Sequence, residues 1–115
     1  MKVMKTAEIE AIERATPLFK GRVTAQTVLD TEKSALRASL INFDQGAVNV
    51  FHVHEYDQIL YVTSGEGIIA TEKEEVRITP GDFVVIPAGE KHWHGATPGS
   101  AMSHIAISIR GKTTF

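Results

Sequence analysis

Short apolar segments separated by glycine and proline turns follow one another through most of this chain. From Gly21 onward, apolar and polar residues alternate, and turn sequences such as Pro80-Gly81-Asp82 recur at short intervals. Alternation with a period of two is typical of half-buried strands, and a series of short strands with such turns is typical of a β-sandwich or barrel. The sequence therefore predicts an all-β fold.

The predicted strands occupy most of the chain after its first twenty residues. They are placed at residues 23–29, 36–42, 48–53, 58–64, 68–72, 76–78, 83–86, 93–96 and 102–109. The first seventeen residues are consistent with one or two helical turns that end before Pro17, or with an irregular arm that lies on the barrel. We therefore divide the chain into an N-terminal arm, residues 1–20, and one barrel domain, residues 21–115.

Composition excludes several classes of partner and chemistry. The chain has 115 residues, which is enough for one domain, with 12 basic and 14 acidic residues and no basic run that would favour nucleic acid. No apolar stretch approaches the roughly 20 residues of a membrane helix. There is no cysteine, so disulfides and thiolate chemistry are excluded. These features predict a cytoplasmic protein that binds neither nucleic acid nor membrane.

Histidines are concentrated in one part of the chain. Four of the five lie between Gly46 and His94, as the pairs His52/His54 and His92/His94, and the fifth is His104. Residues two apart on a strand face the same side of a sheet, so each pair is predicted to point one way. Val50 would share the face of the first pair and line the interior of a curved sheet.

Two further features indicate that these histidines bind a metal ion. Gln58 begins the strand after a short turn, which brings its carbonyl oxygen close to His54, and the turn Pro87-Ala88-Gly89 aims His92 toward them. We predict that one divalent ion is bound by His52, His54, Gln58 and His92, with Gln58 as a buried hydrogen-bonding residue in the alternative. Four neutral ligands leave the ion its full charge as a Lewis acid, and imidazole and oxygen suit Mn, Fe, Co, Ni or Zn. Glu55 and Asp57 in the turn are interpreted as solvated, and Trp93 as a core or interface residue.

Two motifs resemble those of the cupin family. They run Gly46-x5-His52-x-His54-x3-Gln58-x6-Gly65 and Gly81-x5-Pro87-x-Gly89-x2-His92. The resemblance implies a single-domain double-stranded β-helix, a jelly-roll-like barrel that encloses the metal and usually forms a homodimer. The strand at residues 21–29 has apolar residues on both faces, as a partly covered edge strand would. The chain departs from the family at Gln58, where a glutamate is usual, and at Ala96, where an asparagine is usual.

A closer resemblance is to the small manganese cupins that include bacterial hydroxynitrile lyases. The shared features are the His, His, Gln, His ligand set, the run from Gly89 to Ala96 and the run from Ala101 to Ile107. The resemblance implies Mn(II) as the bound ion, with Fe, Ni, Co or Zn as alternatives. It also implies that His94 and His104 line the pocket behind the ligands. Asn49 stands where those lyases tend to have a threonine.

The function implied is cleavage or synthesis of a small cyanohydrin. In this hypothesis the metal binds the substrate hydroxyl, His94 or His104 transfers the proton, and Asn49 hydrogen-bonds the substrate or the leaving group. His104 is equally interpretable as a core histidine bonded to a backbone carbonyl. Two other functions stay open, a metal-dependent oxygenase acting on a small organic substrate and a binding module without turnover.

Overall fold

The computed structural model describes residues 1–115 and is built almost entirely of β-strands. One turn of 3₁₀ helix spans Thr6–Glu8, and the structure has no helix with the length and apolarity needed to cross a membrane. The strands are β1 (Ile12–Glu13), β2 (Phe19–Lys20), β3 (Val23–Leu29), β4 (Leu36–Phe43), β5 (Val48–Asn49), β6 (Val53–His54), β7 (Gln58–Gly65), β8 (Gly67–Thr71), β9 (Glu75–Ile78), β10 (Phe83–Ile86), β11 (His92–Ala96), β12 (Met102–Ile109) and β13 (Thr113–Thr114).

Three antiparallel sheets form the barrel and confirm the predicted all-β, jelly-roll-like architecture. A six-stranded sheet has the order β1-β3-β4-β12-β7-β10, a five-stranded sheet has the order β2-β5-β11-β8-β9, and β13 pairs with β6. Side chains that alternate inward from the two large sheets pack together as the core. Its fully buried members include Phe43, Val62, Ile78 and Met102.

A glycine, Gly65, allows the close approach of two strands at one end of the core. Gly65 has a φ of +74°, and a Cβ built on it would lie 1.8 Å from the carbonyl oxygen of Ala101. Gly81 also has a positive φ, +95°, but a Cβ there would meet no atom within 4 Å. Backbone conformation favours glycine at both positions, whereas only Gly65 is also required by packing.

The predicted strand at residues 48–53 is interrupted. β5 ends at Asn49 and β6 begins at Val53. Between them the carbonyl of Val50 accepts a hydrogen bond from the His52 ring rather than from a neighbouring strand. The interruption places Asn49 and His52, three residues apart, both in buried positions. The prediction that Val50 lines the interior is therefore wrong, since Val50 lies in a surface depression beside Trp93.

Several residues of the N-terminal arm, between Thr6 and Lys20, contact their own barrel. β1 pairs with β3 and β2 pairs with β5. The side-chain amide of Gln26, on β3, donates to the carbonyl oxygens of Thr6 at 2.7 Å and Ile9 at 2.9 Å. β1 is the edge strand of this sheet, but it pairs with β3 only at Ala25 and Thr24, so β3 is partly covered, as its two apolar faces predicted.

Candidate metal centre

His52 and His92 face each other across an antiparallel bridge. The N–H of His52 donates to the carbonyl of His92 at 2.9 Å, and the N–H of His92 donates to the carbonyl of His52 at 3.0 Å. Directly opposed residues project to the same side of a sheet, and the two ring centroids are 4.2 Å apart. Each ring is oriented through Nδ1, which lies 2.6 Å from the Val50 carbonyl in His52 and 2.9 Å from the Glu90 carbonyl in His92. Because a carbonyl oxygen can only accept, Nδ1 of each neutral ring carries the proton and Nε2 keeps its lone pair for a metal ion.

The ring of His54, which lies on the two-stranded sheet, is close to the rings of His52 and His92. It pairs with Thr113, whose hydroxyl oxygen lies 2.7 Å from Nδ1 of His54. Its ring centroid is 4.7 Å from that of His52 and 5.3 Å from that of His92. The candidate nitrogen atoms of these three buried histidines all lie within 4.8 Å of one another.

Gln58 lines the same cavity from the first position of β7, in the six-stranded sheet. Its Oε1 is buried and has no hydrogen-bond partner, and the same holds for Nε2 of His54 and Nε2 of His92. An unpartnered buried polar atom is costly, so three of them in one group of neighbouring side chains indicate a missing partner. Imidazole nitrogen and amide oxygen are ligands for first-row divalent metals, so these residues fit such an ion.

His94 is held by Asn49 in a defined tautomer. The backbone N–H of His94 donates to Oδ1 of Asn49 at 2.7 Å, which fixes the amide so that Nδ2 faces Nε2 of His94 at 3.2 Å. Because Nδ2 is only a donor, Nε2 of the neutral ring must be the acceptor and Nδ1 must carry the proton. Nδ1 of His94 lies 3.3 Å from Nε2 of His104, so the hydrogen bonds run from Asn49 through His94 to His104.

Burial keeps all five histidines uncharged at neutral pH. It lowers the pKa of His52, His54 and His104 to about 4. Burial also lowers the pKa of His92. It lowers the pKa of His94 well below the usual range, and repulsion from the neighbouring His104 lowers it further. Neutral imidazole is the form that binds metal and the form that accepts a proton.

Three residues at the mouth of the cavity were not anticipated from the sequence. Tyr56 stacks on His54 with ring centroids 4.8 Å apart, and the Arg37 guanidinium lies 5.5 Å from the Tyr56 ring centre. Thr113 contacts the hydroxyl of Tyr56 at 3.3 Å as well as His54. Only Tyr56, two residues beyond a candidate ligand, had a signal in the sequence; Arg37 and Thr113 come from distant strands.

The carboxylates of the turn between β6 and β7 have structural contacts. Both are exposed, as predicted, but neither is merely solvated. Oε1 of Glu55 accepts the N–H of Lys112 at 2.7 Å, and Oδ1 of Asp57 accepts the N–H of Ala88 at 2.9 Å. The second bond ties this turn to the turn that precedes His92.

The chain is similar in sequence and in fold to known proteins over most of its length. The profile of the Cupin_2 family, described as a cupin domain, matches residues 39–108, which include every candidate ligand. The chain is 42% identical over 94 residues to an (R)-mandelonitrile lyase from Granulicella tundricola, covering 80% of this chain and 72% of that protein. A cupin-like protein from Thermotoga maritima superposes with a TM-score of 0.85 and 29% identity, covering 90% of this chain and 82% of its own.

A further relative has a different activity in its name. The chain is 34% identical over 70 residues to an acireductone dioxygenase from Leptospira biflexa. That alignment covers 57% of this chain and 37% of the dioxygenase, so the chain spans well under half of that relative.

Proposed function

Because this chain belongs to the cupin family, we propose that it is a metal-dependent enzyme that cleaves and forms small cyanohydrins. The observation that carries the proposal is the group of buried nitrogen and oxygen atoms of His54, Gln58 and His92 that have no hydrogen-bond partner. This group lies beside the hydrogen-bonded neutral pair His94 and His104. The 42% identity to a mandelonitrile lyase supports the reaction class. Mn(II) is the proposed ion, with Fe, Ni, Co or Zn as alternatives.

The proposed ligands are His52, His54, Gln58 and His92. An ion bound by these four neutral groups would supply a Lewis acid toward an oxygen of the substrate. Their hydrogen bonds to backbone carbonyls and to Thr113 orient the rings before the ion arrives, which favours affinity.

His94 is the proposed base. Asn49 keeps Nε2 of His94 unprotonated. In the proposed reaction the cyanohydrin hydroxyl replaces the Nδ2 group of Asn49 as the hydrogen-bond donor to this nitrogen and then transfers its proton to it. The bond between the carbinol carbon and the nitrile carbon breaks, its electron pair leaves with cyanide, and the carbonyl of the aldehyde forms. His94 then returns the proton to cyanide, so the products are an aldehyde and HCN. His104 accepts the hydrogen bond from Nδ1 of His94 and stabilises the ring while it is charged.

The experiment uses untagged protein, with metal content determined before assay. Cleavage of (R)- and (S)-mandelonitrile is followed under anaerobic conditions. We expect His94→Ala to lower turnover by about 10²- to 10⁴-fold while metal content stays unchanged. Trp93→Phe is the matched control, because Trp93 is the neighbouring residue and lies in the surface depression outside the cavity. Equal loss of metal and turnover in His94→Ala would show that His94 is a ligand or a structural residue.

A second candidate is oxygen-dependent cleavage of a small organic substrate at the same ion. The 34% identity to an acireductone dioxygenase supports it. Oxygen consumption by the metal-loaded protein, with no anaerobic cleavage of mandelonitrile, would favour the oxygenase. Full metal occupancy with neither activity would favour a binding module without turnover.

We further propose that the protein forms a homodimer through the outer face of the six-stranded sheet. Phe83 and Val85 on the edge strand β10 are each 69% exposed, and Ile59, opposite Val85, is partly exposed beside Ile107. A contiguous exposed apolar patch on an edge strand is typical of an interface. We expect Val85→Lys to sediment as a monomer. The control Val76→Lys, at an exposed valine on the other large sheet, should behave as the unmodified protein; a monomeric unmodified protein would contradict the proposal.

A further inference from the structure

Arg37 lies in the wall of the cavity with unused hydrogen-bonding capacity. It is half-buried on β4 and lines the mouth of the cavity, of about 360 Å³, together with His54 and Gln58. Its Nε is buried and has no hydrogen-bond partner. A buried guanidinium N–H without an acceptor is uncommon in a folded protein, so this group is not fully satisfied by the protein itself.

The guanidinium is held in place without being neutralised. Nη2 donates to the carbonyl of Ile109 at 3.0 Å, and the group lies against the Tyr56 ring. None of the five ion pairs of the chain includes Arg37. Asp30, the acidic residue at this mouth, is paired with Arg110 at 2.8 Å. A fixed positive charge therefore faces the cavity with no carboxylate of the protein to satisfy it.

The sheet register places Arg37 at the level of the candidate ligands. Arg37 pairs with Ser108 on β12, and Ile107 pairs with Ile59 on β7, so Ser108 continues the ladder to the level of Gln58. Neighbouring strands are about 4.8 Å apart, which puts the backbones of β4 and β7 roughly 10 Å apart. Both side chains project into the same cavity, so a molecule a few carbon atoms long can contact both.

We propose that Arg37 binds a carboxylate of the substrate, so that this site selects small hydroxy or carbonyl compounds that also carry an acid group. The proposal rests on the proposed metal site, which would take the hydroxyl or carbonyl oxygen at the other end. Guanidinium is planar and pairs with carboxylate through two parallel N–H groups, which gives both affinity and orientation. Mandelonitrile lacks this acid group and would occupy only the inner part of the cavity.

The test compares two pairs of aldehydes that differ only in charge, bound to the Mn(II)-loaded protein and followed by calorimetry. The acids are 3- and 4-formylbenzoate, and the neutral counterparts are 3- and 4-formylbenzamide. We expect at least one acid to bind about 10- to 100-fold more tightly than its amide. Arg37→Met, which keeps the apolar stem, should abolish this preference, and Arg37→Lys should retain part of it. Arg14→Met removes an exposed positive charge at the same mouth and should retain most of it.

The outcomes separate this inference from the proposed function. Equal binding of acid and amide, or a preference that persists in Arg37→Met with unchanged melting temperature and Mn(II) content, overturns the role of Arg37. Anaerobic cleavage of mandelonitrile by the same preparations would then still support the lyase. A preference for the acids that depends on Arg37, in a protein that cleaves no cyanohydrin, supports the inference and refutes the lyase.

Discussion

Lowering the pH from 7 to 5 in the absence of metal should destabilise the fold, because the buried histidines must stay neutral for the protein to stay folded. The unfolded chain binds protons at histidine with a pKa of 6.5, whereas burial lowers the pKa of His104 to about 4. The unfolded state therefore binds more protons between these values. The stability that the neutral ring provides is complete above pH 6.5 and is lost progressively as the pH falls toward 4.

The size of the effect follows from these two pKa values. For His104, which is 1% exposed, the loss between pH 7 and pH 5 is about 2 kcal/mol by proton linkage. Burial lowers the pKa of His52 and His54 to about 4 as well, so each of these residues contributes at most a similar loss. The expected total of about 2–6 kcal/mol compares with a stability of about 5–15 kcal/mol for a small domain.

Urea denaturation of EDTA-treated protein at the two pH values measures this loss. With a denaturant slope of about 1.5 kcal/mol/M, the midpoint at pH 5 should be lower by roughly 1–4 M. In His104→Gln, whose amide oxygen can still accept from His94, the loss between pH 7 and pH 5 should be smaller by about 2 kcal/mol. An unfolding free energy that is equal at both pH values, or an unchanged loss in His104→Gln, would refute the reasoning.

Three further predictions concern metal binding and packing. Thr113→Val removes the hydroxyl that orients one ligand ring and should weaken Mn(II) binding about 10- to 100-fold in a competitive titration, whereas Thr114→Val, exposed on the same short strand, should not. Gly65→Ala should destabilise the fold in thermal melts well beyond the roughly 1–2 kcal/mol expected for Gly81→Ala, since only the first places a Cβ against the carbonyl of Ala101; equal losses would contradict this. Mn(II) at about one hundred times its dissociation constant should add about 2.7 kcal/mol of stability over the EDTA-treated protein, and an unchanged melting temperature would exclude binding to the folded state.

Strand alternation and turn residues were sufficient to predict most of the fold. The strands from Val23 to Leu29 and from Met102 to Ile109 were predicted with the bounds that they have, because alternation there is regular and the turns on either side are distinct. The interruption after Asn49 was missed, because the alternation of apolar and polar residues continues through it and the bond from the His52 ring to the Val50 carbonyl has no signal in the sequence.

Three of the four candidate ligands could be predicted because they lie close together in the sequence. His52 and His54 are two residues apart, and Gln58 follows after one short turn, so local spacing was informative. Arg37 and Thr113 reach the cavity only through strand pairing across the whole chain. Nothing in their own neighbourhoods marks either residue, and their contributions could be recognised only once the register was known.

Three of the four candidate ligands belong to three different sheets: Gln58 to the six-stranded sheet, His92 to the five-stranded sheet and His54 to the two-stranded sheet. An ion bound to all of them would cross-link these sheets through a single centre. No sheet could then separate from the others without breaking a coordination bond. The amide protons of all three sheets would therefore exchange with deuterium more slowly with the ion than without it. Loss of the ion would return each sheet to its own rate of opening.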